Sequence, residues 1–114
     1  MNLQELKAKG GLVESAPVLK PITWTHEGED GQLVTDDFTV LVRRQSFAVI
    51  ERLYAPEEQE RSRNTKLIAE CVLFGEEGDE RLTYELAQDL QPGLAFLLLA
   101  AVHEVNGTGQ TAKN

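Results

Sequence analysis

The chain has a single cysteine, two histidines and few aromatic residues, 6% of 114 positions. A lone Cys71 closes no internal disulfide, so the framework that staples small secreted domains is missing. The sequence therefore reads as a soluble protein of a reducing compartment. His26 and His103 have no cysteine or second histidine close by, whereas structural metal sites group their ligands at short spacings. His103 sits at the end of an apolar helix, where an imidazole favours the negative end of the dipole. His26 reads as a solvated residue at a strand-to-turn boundary. Positive charge is also scarce, with 11 basic against 19 acidic side chains and a formal net charge of −8. Such a chain has no electrostatic drive towards phosphate backbones or anionic lipid, so neither nucleic acid nor membrane is an expected partner. Arg43-Arg44 and the group Arg61, Arg63 and Lys66 are the only basic clusters, and acids surround both. No apolar run reaches the roughly 20 residues of a membrane span, and residues 1–9 lack the apolar stretch of a signal peptide.

Catalytic machinery is equally hard to find. Gly28 and Gly31 lie in an acidic loop that repels phosphate and matches no phosphate-binding pattern. Adjacent acids such as Glu29-Asp30, Glu57-Glu58 and Glu76-Glu77 occupy turns and helix starts. A catalytic pair needs one carboxyl in an apolar setting. Cys71 falls on the apolar face of a helix, where a buried thiol behaves as a small hydrophobe. No enzyme activity, cofactor or metal is expected.

What the chain does contain is a pattern of short elements, with 41% hydrophobic residues, the ordinary share for one globular domain. Asn2 caps a short helix that Gly10-Gly11 ends. Residues 18–25 and 37–44 alternate as strands, with Trp24 on the first and Phe38, Val40 and Val42 on one face of the second. The Gly-rich turn between them predicts an antiparallel hairpin. Ser46 then caps a helix whose Phe47, Ile50, Leu53 and Tyr54 line one side. The glutamates Glu57, Glu58 and Glu60 suit the opening of a next helix, which runs to about Phe74 and buries Leu67, Ile68, Cys71 and Val72. Thr83 caps a short helix over 84–90, and Pro92 begins the last one. The expected fold is α+β: an N-terminal helix and a β-hairpin packed against a C-terminal bundle of about four helices. It forms one domain over 1–107, with a disordered tail over 108–114.

The last helix is the most informative element. Residues 94–102 are apolar on nearly every side, whereas a helix at the rim of a small domain keeps a polar half in water. Either the rest of the domain wraps it as a central core helix, or another protein covers part of it. Helical spacing selects Leu94, Leu97, Leu98 and Ala101 as the stripe for binding a protein or a second copy of the chain.

The order of elements resembles that of a known family. A strand Phe38-Thr39-Val40-Leu41-Val42-Arg43-Arg44 leads into a helix. A helix with Arg61-Ser62-Arg63-Asn64-Thr65-Lys66 follows, then an acidic turn into Glu80-Arg81-Leu82-Thr83-Tyr84-Glu85. Last is a helix ending Ala100-Ala101-Val102-His103-Glu104-Val105-Asn106-Gly107. Over residues 18–107 this resembles the small tail assembly chaperones of long-tailed bacteriophages. The resemblance implies a self-associating protein made in the cytoplasm of the infected or lysogenic bacterium and absent from the mature virion. It implies binding to the tape measure protein, which stays soluble as a result, and recruitment of tail tube protein. Two alternatives stand beside it: a secretion-type chaperone or antitoxin-like module, which would share the charge and the helices, and a structural head-tail completion protein.

Overall fold

The computed structural model describes residues 1–56 and 61–107. The helix opening placed on Glu57, Glu58 and Glu60 and the disordered tail over 108–114 lie outside the described residues. In order the elements are α1 (Leu3–Ala8), β1 (Val18–Glu27), β2 (Leu33–Val42), α2 (Phe47–Leu53) and α3 (Arg63–Cys71). They continue with β3 (Val72–Phe74), β4 (Glu80–Arg81), α4 (Tyr84–Gln88) and α5 (Pro92–Asn106). The strands form one antiparallel sheet in the order β1-β2-β3-β4.

Local chemistry sets the helix starts. Asn2 Oδ1 accepts the Glu5 amide while Glu5 Oε1 accepts the Asn2 amide, each at 2.8 Å, a reciprocal cap on α1. Ser46, Ser62 and Thr83 cap α2, α3 and α4 through their hydroxyls. Gln91 caps α5, Pro92 occupies its first turn, and Gly107 ends it in the left-handed conformation at φ 64°.

The β1–β2 hairpin is ten residues long on each side, and its register pairs Val18 with Val42 and Ile22 with Phe38. Period-two alternation then sends Ile22, Trp24, Phe38, Val40 and Val42 to one face. Together with Val49, Leu53, Leu67, Ile68, Cys71, Val72, Leu98, Ala101 and Val102, that face makes a single core. The opposite face carries Thr23, Thr25, Thr35 and Asp37. There Thr23 donates to Asp37 at 2.7 Å, and the Thr25 and Thr35 hydroxyls meet at 2.9 Å.

Two features correct the expected architecture. The sheet has four strands, and the C-terminus has one long helix where a bundle of four was expected. The α3 helix stops at Cys71, and Val72 turns extended at φ −95°, ψ 126°. Val72 and Leu73 then pair with Val42 and Leu41, satisfying backbone groups on β2 that would otherwise end unpaired beside the core. Gly75 and Gly78, both at positive φ, fold the chain back into β4. A run of apolar residues such as Val72-Leu73-Phe74 has no periodicity of its own, so it extends a helical pattern as readily as it forms a buried strand. The α2 face also differs. Val49 and Leu53 are its buried residues, whereas Phe47 and Tyr54 are exposed.

Ile68 is buried at the centre of the core cluster, so Ile68→Ala should cost about 2–5 kcal/mol through lost transfer energy and the cavity left behind. Urea unfolding measures this; an unchanged midpoint would place the core elsewhere.

Candidate protein-binding surface

The position of α5 is fixed at both ends. At its start Gln91 Oε1 accepts from the Leu94 amide at 3.0 Å and from Trp24 Nε1 at 3.3 Å. At its end Asn106 Oδ1 accepts the Gln45 amide at 2.6 Å, and Asn106 Nδ2 donates to the Val102 carbonyl at 2.9 Å. Lys20 Nζ lies 2.7 Å from Glu104 Oε1. Since Trp24 meets the start of the helix and Lys20 its last turn, α5 runs antiparallel to β1 across the inner face of the hairpin.

This geometry sorts the four residues selected from the sequence. Leu98 and Ala101 lie inside the chain's own core, at 0% and 5% exposure. Leu94 is half-buried and packs on the rim of that core, and Leu97 is 37% exposed at the boundary. The stripe thus straddles the line between core and surface. The most exposed apolar side chain of the helix is Phe96, at 69%, with Ala100 exposed one turn later. Spacing contains that signal, since a residue two positions from a buried one lies roughly 200° round the helix at 3.6 residues per turn. The α5 helix is therefore a core helix on one side. On the other it presents an apolar strip of Leu94, Phe96, Leu97 and Ala100.

A second feature lies at the β4 edge of the sheet. A cleft of about 410 Å³ opens between the end of α2, the middle of α3 and the start of α4. Arg52, Arg61, Lys66 and Arg81 line it, with Glu70 as its acidic member among the described residues and Leu53 and Leu82 at its walls. Arg52 Nη2 contacts Glu70 Oε2 at 2.5 Å, Lys66 Nζ donates to the Leu53 carbonyl at 2.6 Å, and Arg61 stands over the Tyr84 ring at 4.6 Å. The Tyr84 hydroxyl accepts from the Ser62 amide at 2.8 Å and so ties α4 to the start of α3.

The histidines differ in setting. His26 stacks on Trp24 with centroids 3.8 Å apart, and its Nε2 lies 2.6 Å from Asp36 Oδ2. It is an ordered member of the hairpin, not the solvated residue expected. His103 occupies the last turn of α5, and its carbonyl accepts the Gly107 amide. No group of three or more histidine, cysteine, aspartate or glutamate side chains is placed to hold a metal ion among the described residues. No helix among them is long and apolar enough to cross a membrane.

Both surfaces are suited to contact with proteins: an apolar strip on a rigid helix and a charged cleft between short helices. The model of the phage tail assembly chaperone family matches residues 4–106, and the chain belongs to that family. Neither the curated proteins nor the solved structures contain a significant match to it. Family membership agrees with the resemblance read from the sequence and not with a secretion-type chaperone, an antitoxin-like module or a head-tail completion protein. A chaperone family also points to a non-enzymatic role.

Cys71 provides a check on the packing beneath both surfaces. Burial, reinforced by the Glu70 carboxylate and opposed by Arg43, pushes its thiol from the ordinary 9.0 up to about 11. The thiolate is the reactive form, so the folded chain should resist alkylation at pH 8 and react only on unfolding. Between 9.0 and about 11 an unfolded chain releases a proton that the folded one keeps. The thiol's contribution to stability therefore falls as pH rises through that window. Rapid alkylation of folded protein would show that α3 does not pack as described.

Proposed function

We propose that this chain is a chaperone for the phage tape measure protein. It binds helical segments of that client through the α5 strip, keeps the client soluble in the bacterial cytoplasm, and helps bring tail tube subunits to it. It leaves before the virion is complete. The observation that carries the reading is the strip itself: Phe96 and Leu97 are held in water by a helix whose other side is locked into the core. An amphipathic client helix laid along such a strip buries its own apolar face, the usual recognition mode between helices. The net charge of −8 then surrounds the complex with like charge, which opposes aggregation.

Self-association belongs to the same proposal. Leu98 and Ala101 are already used inside the fold, so the exposed part of the selected stripe is Leu94 and Leu97, joined by Phe96. A stable interface buries about 800 Å² on each partner, far more than these side chains supply. Single contacts are consequently weak, and firm binding to a long client comes from many copies acting together.

Co-expression tests the reading. Wild-type chain should move the tape measure protein from pellet to supernatant, whereas Phe96→Asp or Leu97→Asp should abolish that rescue, because an uncompensated carboxylate in an apolar contact is strongly unfavourable. Both positions are exposed, so circular dichroism should show folded variants. Leu98→Asp, by contrast, should unfold the chain. Moderate salt should leave the complex intact, since its attraction is apolar. Rescue that survives both exposed-site variants, or a complex that salt dissolves while the chain stays folded, would overturn the mechanism.

A further inference from the structure

The β1–β2 hairpin projects as an arm past the helices that cover its base. Gln91 at the start of α5 meets Trp24, and beyond that point Leu33 is 76% exposed and the inward-facing Val34 40%. The arm ends in an acidic tip, Glu27-Gly28-Glu29-Asp30. β1 is the outer strand of the sheet and pairs only with β2 among the described residues. The phase of that pairing is fixed at both ends. At the tip Gly28 N donates to the Gln32 carbonyl at 2.8 Å, and just past β2 the Arg43 amide donates away from β1, to the Cys71 carbonyl at 2.8 Å. Along an antiparallel pair, hydrogen-bonded and non-hydrogen-bonded positions alternate. Even-numbered residues from Val18 to His26 therefore bond to β2, whereas Thr23, Thr25 and Glu27 turn their amides and carbonyls to the open edge. Pro21 shares that outward phase, where its missing amide costs the β1–β2 ladder nothing. The unbroken part of the open edge thus runs from Ile22 to Glu27.

We propose that this edge pairs with the same edge of a second copy, β1 antiparallel to β1 about a two-fold axis at Thr25, joining two four-stranded sheets into one. The inference rests on the self-association reading above, not on client binding, and gives it a surface apart from the α5 strip. Charge selects the strand. Ile22 to His26 carries no acid, whereas β2 carries Asp36 and Asp37, which a second β2 edge would bring close to their own copies. Helix packing selects the register. Contacts from α5 to Trp24 and Lys20 place that helix over β1. Paired strands lie about 4.8 Å apart, but packed helices need roughly 8–10 Å. An axis nearer the base, at Ile22 or Thr23, would set the two α5 helices side by side at strand spacing. An axis at Thr25 sets them start to start, each running away from the other. It also places Trp24 opposite His26 of the other copy at a non-hydrogen-bonded position, where side chains come closest. The same two ring types already stack within one chain, with centroids 3.8 Å apart. Such an interface is self-complementary and closes as a dimer. It leaves Phe96 and Leu97 of both copies available, and two strips on one assembly act on a long client with the gain of multivalency.

Sedimentation velocity of the full chain over a range of concentrations tests this. Wild type should form a dimer. Thr25→Pro removes an outward amide at the axis from each copy and should weaken association about tenfold or more. Thr35→Pro is the control. Thr35 lies directly across from Thr25 and the change removes the same hydroxyl contact, but its amide faces the other edge of the hairpin, so the dimer should persist. An outward proline is compatible with an edge strand, and thermal melting checks that both variants are folded. Oxidation supplies a second measurement. Thr25→Cys should give a disulfide-linked dimer, since the two copies of residue 25 lie about 5.5 Å apart at Cα, whereas Thr35→Cys should not. Phe96→Asp should dimerise like wild type, which separates failure of assembly from failure of client binding. A wild type that is monomeric throughout, equal association of Thr25→Pro and Thr35→Pro, equal crosslinking from positions 25 and 35, or loss of the dimer on Phe96→Asp would overturn the proposal. So would stronger association on Thr108→Pro with Thr111→Pro, which would identify the chain's own tail as the occupant of the edge.

Discussion

The packing of α5 against the inner face of the β1–β2 hairpin is the contact on which the other features depend. Leu98 and Val102 are fully buried in the cluster that contains Ile22, Val40 and Val42, and each such side chain contributes about 1.5–3 kcal/mol when removed from water. Two strands alone are marginal in water, so the hairpin holds its shape because α5 covers its base. The α3 helix adds Leu67, Ile68 and Cys71 to the same cluster. Fixing α5 by its buried side also fixes what its other side displays. Phe96 stays in water because Gln91 ties the start of the helix to Trp24 of the hairpin and Asn106 ties its end to Gln45, just beyond β2.

Charge is distributed with a comparable division of labour. The chain is acidic overall, yet the described cleft between α2, α3 and α4 is predominantly basic and the tip of the arm is wholly acidic. The exposed flank of α5, with Phe96 and Leu97, is apolar by contrast.

Much of this was legible in the sequence. The caps Asn2, Ser46 and Thr83, the first hairpin and the burial of Leu67 and Ile68 all follow from local patterns that tertiary packing leaves intact. The β3–β4 hairpin was not legible, because Val72-Leu73-Phe74 continues an apolar helical pattern and only the vacant edge of β2 decides its pairing. Phe47 and Tyr54 were assigned inward on spacing, but α2 presents Val49 and Leu53 to the core instead. A seven-residue helix fits more than one apolar phase, and the choice is made by its neighbours. On α5 the stripe of Leu94, Leu97, Leu98 and Ala101 identified an apolar helix but not its rotation, since a helix apolar all round carries almost no phase information. His26 likewise looked solvated until β-pairing brought Trp24 and Asp36 beside it.

The central claim is that the exposed side of α5 touches the client. A photo-crosslinking amino acid placed at position 96 of the chain, co-expressed with the tape measure protein, tests it without altering the core. The account predicts a crosslink to the tape measure protein from position 96 and none from position 76, in the turn between β3 and β4. Equal crosslinking from both positions, or none from position 96 in a complex that is otherwise intact, would contradict it.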